Sequence, residues 1–357
     1  MLFRTVMRCR SLYLLALVVA RLCCFSAVFA PALFAQTPNV RGLDPTKPIS
    51  EYRHSVWTVD NGLPQNSAQA LCQTRDGYLW IGTQEGLVRF DGLNFKVFDK
   101  NNAPAITDKY INALLETKDG ALWGGGYNGC LFSMRNGVFE KHLVEETAET
   151  SVLAELRGRV WIGTSAGLYC WERGNAKLRR FTTADGLPNN AILSLAADTA
   201  RNILWVGTQS GLVRIESINI IRPEKSITTP MRSLLLDSKG LLWMGTSKGL
   251  QQGYWNNHAL TIQQSFTTRN GLSDNIITAL FEDNERTLWI GTATQGLMRR
   301  TQYSSVFETY QVKDGLTSNG IDAILQDNEG AVWIGNQVGG MNRLGNSSFT
   351  SYTKDIL

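Results

Sequence analysis

One short motif, Leu-Trp-Ile-Gly-Thr or a close variant, returns seven times and constrains the fold more than any other feature. Its tryptophans follow one another at intervals of 38 to 46 residues and are Trp80, Trp123, Trp161, Trp205, Trp243, Trp289 and Trp333. Leucine-rich repeats are shorter than this, and helical repeats would need apolar residues at a 3.6-residue period. The repeat therefore predicts seven similar units of the length of a propeller blade.

Each unit resolves into four short β-prone runs separated by Gly, Asn and Asp. In the sixth unit these runs are residues 276–281, 288–292, 297–301 and 307–311. The sequence thus predicts an all-β fold, a seven-bladed β-propeller of four-stranded antiparallel blades. We expect the tryptophans in the core, the glycine two residues after each one at a close sheet contact, and the Asp-Gly pairs in hairpin turns.

The two ends of the repeat region predict how the ring closes. Residues 54–59 precede Asn-Gly-Leu-Pro just as residues 181–183 precede Asp-Gly-Leu-Pro, so the first strand matches the outermost strand of a blade. It would complete a blade whose other three strands lie at the C-terminus, which removes open sheet edges. Residues 349–353 could fill the same slot. Residues 354–357 look like the opening of an eighth unit, so we expect a C-terminal truncation.

The N-terminus has the charged-then-apolar order of an export signal. Arginines in the first ten residues precede two apolar runs, which Arg21 separates. We expect residues 1–35 to be a signal peptide or an uncleaved N-terminal anchor, 36–49 a linker and 50–357 the propeller. The remaining 31 of the 35 basic residues balance 31 acidic ones, so no basic footprint for nucleic acid remains. Cys72, Cys130 and Cys170 have no metal-type spacing, and we expect them to act as small buried apolar residues.

Residues 56–92 contain Asn-Gly-Leu-Pro-Gln-Asn-Ser and then Arg-Asp-Gly-Tyr-Leu-Trp-Ile-Gly-Thr-Gln-Glu-Gly-Leu, and closely resemble the two-component regulator propeller family. The resemblance covers residues 50–357 and is weakest at 141–160 and 220–235. It implies the periplasmic sensor region of a histidine kinase or diguanylate cyclase, exported by its N-terminal signal. It further implies a small-molecule or oligosaccharide ligand and a homodimer formed through a full-length receptor. An uncleaved N-terminal segment would contact the inner membrane.

No catalytic or metal signature is visible, and we expect neither enzyme activity in this chain nor a cofactor. His54, His142 and His258 fall in different units without partners at zinc spacing. The Gly-Thr-x-x-Gly loops recur in most units and indicate hairpin turns rather than phosphate loops. Two alternatives to sensing remain, a protein-interaction scaffold and a propeller glycosidase or lyase, because the fold supports all three.

A ligand site is predicted on the face that holds the loops between second and third strands and the loops between blades. Its amides and tyrosines suit a hydroxyl-rich ligand. The candidates are Gln65, Asn66, Gln84, Glu85, Lys109, Tyr110, Tyr127, Asn128, Asn189, Asn190, Gln209, Lys248, Asn275, Gln295, Asn319 and Gln337.

An alternative applies to Asn66, Asn190, Asn275 and Asn319, each 14 or 15 residues before its tryptophan. Such regularity also suits an amide that closes a loop by bonding to the backbone. Tyr127, Glu85 and Lys248 break the repeat and are therefore better functional candidates. Beside Tyr127, the bare backbone of three consecutive glycines leaves room for a bound group.

Overall fold

The protein is a seven-bladed β-propeller with four-stranded antiparallel blades, as the sequence predicts. The computed structural model describes residues 42–346 except 146, 175–177, 218–219, 225 and 257–258. From inner to outer strand, blades 1–3 are β2 Ala70–Gln73, β3 Leu79–Thr83, β4 Gly86–Phe90, β5 Phe95–Phe98; β6 Ile111–Glu116, β7 Leu122–Gly126, β8 Leu131–Arg135, β9 Val138–Lys141; β10 Thr150–Leu156, β11 Arg159–Thr164, β12 Gly167–Glu172, β13 Arg179–Phe181.

The remaining four blades follow the same order. They are β14 Ile192–Asp198, β15 Ile203–Thr208, β16 Gly211–Ser217, β17 Ile220–Pro223; β18 Ser233–Leu236, β19 Leu241–Gly245, β20 Leu250–Trp255, β21 Leu260–Phe266; β22 Ile277–Glu282, β23 Leu288–Thr292, β24 Leu297–Arg300, β25 Glu308–Tyr310; β26 Ile321–Gln326, β27 Val332–Asn336, β28 Met341–Gly345, β1 Arg53–Trp57. Short 3₁₀ turns occur at Ile49–Glu51, Val59–Asn61, Thr183–Asp185 and Val312–Asp314.

The N-terminal strand closes the ring. β1 pairs with β28 from Arg53 opposite Gly345 to Trp57 opposite Met341, and so forms the outer strand of blade 7. The expected signal at 1–35, the first part of the linker and the alternative closing segment 349–353 lie outside the described residues. Within the described part of the chain, no helix is long and apolar enough to span a membrane.

The core consists of layers between neighbouring blades, and the repeated tryptophans lie in these layers. All seven are buried, with exposed fractions of 0–6%. The glycine two residues after each tryptophan lets the next blade approach: a methyl group at Gly82 would overlap the carbonyl oxygen of Ile111, and one at Gly335 would overlap that of Ala68. The predicted close contact is therefore confirmed, and the second example joins blade 7 to blade 1.

Three of the acidic turns before the tryptophans also hold the indoles. Asp283 accepts the indole N–H of Trp289 at 2.8 Å and the backbone N–H groups of Glu285 and Thr287 at 2.9 and 2.8 Å. Asp237 and Asp327 bind their own tryptophans in the same way. One carboxylate thus closes the hairpin turn and fixes the largest side chain of the blade.

Neighbouring blades are also joined by side chains at the ends of the inner strands, which we call the clamp residues. Each accepts a backbone N–H from the hairpin turn of the preceding blade at 2.6–3.1 Å, and they are Gln73, Glu116, Glu155, Glu282 and Gln326. Gln73 accepts from Asn328 and so links blade 1 to blade 7. The same register position holds Ala197 in blade 4 and Leu236 in blade 5, which cannot accept a hydrogen bond.

Residues 42–52 pack against blades 6 and 7, and we call this segment the N-terminal strap. Leu43, Ile49 and Tyr52 are buried in one cluster with Trp289 and Leu344. The backbone N–H of Asp44 donates to Oδ1 of Asn346 at 3.1 Å. The described end of the predicted linker is thus part of the packed structure.

Candidate functional site

The predicted site residues lie on one face of the disc, which we call the loop face. It carries the hairpins between the second and third strands of each blade and the connections from an outer strand to the next inner strand, as the strand order requires. The two kinds of loop touch directly, because the backbone N–H of Gln84 donates to the hydroxyl of Ser67 at 2.9 Å. The hydroxyl of Thr83, the last residue of the Leu-Trp-Ile-Gly-Thr motif, donates to the carbonyl of Gly86 at 2.8 Å. These loops are hairpin turns.

The four equivalent asparagines close their own loops. Asn66, Asn190, Asn275 and Asn319 each accept the backbone N–H of the residue seven positions earlier at 2.8–2.9 Å. The interpretation of these residues as loop-closing amides is confirmed. Because each amide oxygen serves the loop, the fold itself accounts for these four residues.

A polar cluster joins blades 1 and 2 on the loop face. Nζ of Lys109 lies 2.8 Å from Oε1 of Glu85, and both side chains are more than half exposed. Nδ2 of Asn128 donates to Oδ2 of Asp108 at 2.7 Å. The hydrogen bond from Lys109 to Glu85 raises the pKa of the lysine. Such exposed ion pairs contribute little to stability, so this cluster is free to exchange its internal bonds for those of a ligand.

Tyr127 lies on the hairpin between β7 and β8 of blade 2, close to Tyr110 and to Glu149. Its ring meets that of Tyr110 edge-on at 5.1 Å. Burial, followed by the neighbouring carboxylate of Glu149, raises the pKa of Tyr127. Oε1 of Glu149 also accepts from Nδ2 of Asn112 at 2.9 Å. Tyr127 is 39% exposed.

The prediction of free space beside Tyr127 is wrong. A methyl group at Gly124 would overlap the ring of Phe132, one at Gly125 would overlap Thr150, and one at Gly126 would overlap the carbonyl of Tyr110. The three bare positions accommodate the chain's own side chains and backbone. They leave no room for a bound group.

The other candidates are spread around the loop face. Gln65 accepts from the hydroxyl of Ser67, and Nδ2 of Asn189 donates to Ser210 at 3.1 Å. Nε2 of Gln311 donates to Oε1 of Gln295 at 3.0 Å. Four candidates have exposed side chains at hairpin tips: Gln209, Lys248, Gln295 and Gln337. They lie on four different blades, 4 to 7, and do not converge on one point.

The channel beneath this face contains residues that the sequence reasoning missed. Seven side chains share one register position near the start of the inner strands, and we call them the channel ring: Gln69, Asn112, Ser151, Leu193, Arg232, Thr278 and Asp322. Six of them line a cavity of about 270 Å³ to which all seven inner strands contribute. Arg232 and Asp322 both lie 11 residues before a tryptophan, a spacing that could have identified them.

Two residues further along the inner strands lies a second ring, the aliphatic collar. It consists of Leu71, Leu114, Leu153, Leu195, Leu234, Leu280 and Ile324, all of which line the same cavity. Apart from Gln69, the residues of both rings line this one cavity. The loop-face end of the channel is therefore a polar cup above an apolar constriction, which we call the channel cup.

Histidine and cysteine have structural positions. His54 bonds to Oδ1 of Asn342 at 2.9 Å, and His142 stacks on Trp123 at 4.3 Å, while His258 lies outside the described residues. Cys72, Cys130 and Cys170 are buried and unpaired, as expected. Among the described residues, no group of three His, Cys, Asp or Glu side chains could hold a metal ion.

Comparison with known proteins finds a family model that matches three segments of the repeat region. The model of the family described as "Two component regulator propeller" matches residues 62–85, 271–294 and 315–337. Histidine kinase P4 of Formosa agariphila is 38% identical over 52 residues, which cover 15% of this chain and 4% of the kinase. The predicted family resemblance is confirmed.

Solved structures share the propeller fold. The extracellular domain of a hybrid two-component system from B. thetaiotaomicron superposes with a TM-score of 0.72 at 20% identity, over 82% of this chain and 41% of that one. Virginiamycin B lyase of Staphylococcus aureus superposes with a TM-score of 0.65 at 13% identity, over 83% of this chain and 100% of the lyase. The protein thus spans about two fifths of the B. thetaiotaomicron domain.

Proposed function

Because the chain carries repeats of the two-component regulator propeller family, we propose that it is the extracytoplasmic ligand-sensing propeller of a bacterial signal-transduction protein. The observation that carries the proposal is the channel cup, where the charged groups of Arg232 and Asp322 face the cavity without serving the fold. In this proposal the chain senses and is not itself catalytic. Its signal reaches a histidine kinase or diguanylate cyclase module.

The loop face supports a sensing role because it combines a rigid frame with adaptable contacts. The clamp residues join the blades, so the inner strands hold the channel ring in a fixed arrangement. By contrast, the side chains of Glu85, Lys109 and Asn128 bond to other side chains of the same exposed cluster. Binding sites commonly place such exchangeable polar groups on loops above a rigid scaffold. We propose that a small ligand enters the cup between Tyr127 and the opposite blades.

The proposed location rests on the charged-then-apolar order of the first 35 residues. A fusion of the full chain to alkaline phosphatase, which is active only after export, tests it in a bacterial host. We expect high phosphatase activity, and a matched β-galactosidase fusion should be inactive. The reverse pattern would overturn an extracytoplasmic role. An immunoblot of source cells against residues 50–346 should show a band well above 39.6 kDa if the sensor belongs to a longer receptor.

Ligand binding by the full chain can be tested by calorimetry and thermal unfolding against neutral saccharides, amino acids, amines and organic acids. We expect at least one compound to bind, and Tyr127→Ala to weaken its binding at least tenfold. Tyr303→Ala is the matched control. Tyr303 is 71% exposed and lies on the loop between β24 and β25, the two outer strands of blade 6, away from the inner strand that lines the channel. Absence of binding across the panel, or equal binding by both variants, would contradict the proposal.

A further inference from the structure

The channel cup has one acidic and one basic member among the seven residues of the channel ring. Asp322 comes from the inner strand of blade 7 and Arg232 from that of blade 5, with Thr278 of blade 6 between them. The other members are neutral. A position that faces a channel can hold any of these side chains without changing the sheet, so the fold does not require the two charges.

Asp322 is partly buried in the cup. Among the residues that the structure describes, no hydrogen bond or ion pair of its carboxylate is found, and burial alone acts on its pKa. Burial raises its pKa to about 6, and no neighbouring charge contributes to that change. A carboxylate removed from water without compensation destabilises the fold, and perturbed acids in a concave site often mark function.

Arg232 lines the same cavity from blade 5, two blades before Asp322, and its side chain is exposed. Its backbone N–H donates to Gly245 at 2.9 Å and thereby begins the inner strand, while its guanidinium has no carboxylate within ion-pair distance in the described residues. The other acid at the mouth, Glu149, is already bonded to Asn112. Arginine binds carboxylates through two parallel hydrogen bonds, which suits it to an anionic ligand group.

The cup also limits the size and the apolar character of its occupant. A cavity of about 270 Å³ is smaller than sites for drug-sized compounds, which measure roughly 300–1,000 Å³. Below the charged ring, the side chains of the aliphatic collar form a hydrocarbon floor. A small ligand with charged groups at one end and an apolar group at the other would match both levels.

We propose that the channel cup binds a small zwitterion of the α-amino-acid type, with its ammonium group at Asp322, its carboxylate at Arg232 and its side chain over the aliphatic collar. This inference rests on the proposed sensing function and specifies its ligand class. Both ligand charges would be paired, and both unpaired protein charges would gain a partner.

Three forms of one compound test the two charges separately in the full chain. The probes are L-leucine, which carries both charges, N-acetyl-L-leucine, which carries only the carboxylate, and L-leucinamide, which carries only the ammonium. Calorimetry should show L-leucine binding at least tenfold more tightly than either derivative, since each derivative loses one charge-assisted contact. The other common L-amino acids, tested alongside, define the preferred side chain.

Substitutions assign each charge to its partner. Asp322→Asn should abolish the preference for L-leucine over N-acetyl-L-leucine, and Arg232→Gln the preference over L-leucinamide. Ser151→Ala, a neutral change in the same ring, is the matched control and should leave both preferences intact. Equal binding of the three probes, absence of binding by every amino acid, or indifference to the two substitutions would overturn the inference. Binding of a saccharide instead would overturn it while leaving the sensing function standing.

Discussion

Arg299 donates a hydrogen bond to the hydroxyl oxygen of Tyr52, a residue 247 positions earlier in the chain. Arg299 is 1% exposed, and its guanidinium also contacts Glu308 at 2.9 Å and the carbonyl of Lys47. The Tyr52 hydroxyl in turn donates to the carbonyl of Asp44 at 2.7 Å. One buried cation thus fastens the N-terminal strap to blade 6.

We expect Tyr52→Phe to lower the free energy of unfolding by about 2 kcal/mol. The change removes an acceptor from a buried guanidinium and a donor from a buried carbonyl, and unsatisfied groups of this kind cost about 1–3 kcal/mol. Urea unfolding followed by tryptophan fluorescence measures the difference. Tyr303→Phe, which alters an exposed ring, is the control, and an equal effect of both changes would show that the hydrogen bonds of the Tyr52 hydroxyl contribute nothing.

Closure of the ring predicts a large effect of one added methyl group. Gly335→Ala would force a Cβ atom into the carbonyl of Ala68, at the junction of blades 7 and 1. We expect a loss of about 1–3 kcal/mol, the range of overpacked cores, measured as a lower thermal midpoint. Gly345→Ala is the matched control, because its Cβ would approach only the flexible end of Arg343. Equal stability of the two variants would contradict the role of Gly335 in closure.

The carboxylate of Asp283 should matter more than its place in a surface turn indicates. Asp283→Ala leaves the buried indole N–H of Trp289 and two turn N–H groups without their acceptor. We expect a loss of about 3 kcal/mol, since several donors lose one ionic acceptor together. Unfolding in urea measures it, and Asp60→Ala, an exposed acid, should cost far less. A loss below about 0.5 kcal/mol would contradict the assignment.

Asp322 predicts a defined pH dependence of stability. Its pKa is about 6 in the folded protein against an ordinary value of 3.8, so the folded state holds this proton more tightly than the unfolded state. The group therefore favours folding at low pH, and that contribution is lost as the pH rises from about 4 to about 6. Asp322→Asn should stabilise the protein by up to about 3 kcal/mol at pH 7 and by nothing at pH 3.5.

Thermal midpoints of wild type and variant across pH 3.5–7.5 check this dependence. Asp60→Asn removes an exposed carboxylate, and its thermal midpoint should change with pH in parallel with that of the wild type. A gain from Asp322→Asn that is the same at every pH would show that ionisation of this carboxyl is not its cause.

The repeats made the blades predictable because the same contacts recur seven times. The strand runs expected in the sixth unit differ from those observed by about one residue, and Asn319 closes its loop as its regular spacing suggested. The channel ring was harder to predict. A bulge after Ile321 shifts the pairing before Ala323, so simple alternation does not tell which inner-strand residues face the channel. The strap escaped prediction because Leu43 and Ile49 belong to no repeat.

The distribution of the clamp residues also implies that the junctions between blades differ in strength around the disc. Ala197 and Leu236 leave both junctions of blade 4 without a clamp hydrogen bond; these junctions have apolar packing, the hydroxyl of Ser194 donating to Met231 at 2.8 Å, and the backbone N–H of Met231 donating to Thr208 at 3.1 Å. The other junctions add a hydrogen bond from the preceding turn. Blade 4 is then the sector in which the amide protons of the inner strand exchange earliest. Blade 4 lies next to blade 5, which carries Arg232. A force on the outer strands would therefore displace the channel-lining strands first at this sector.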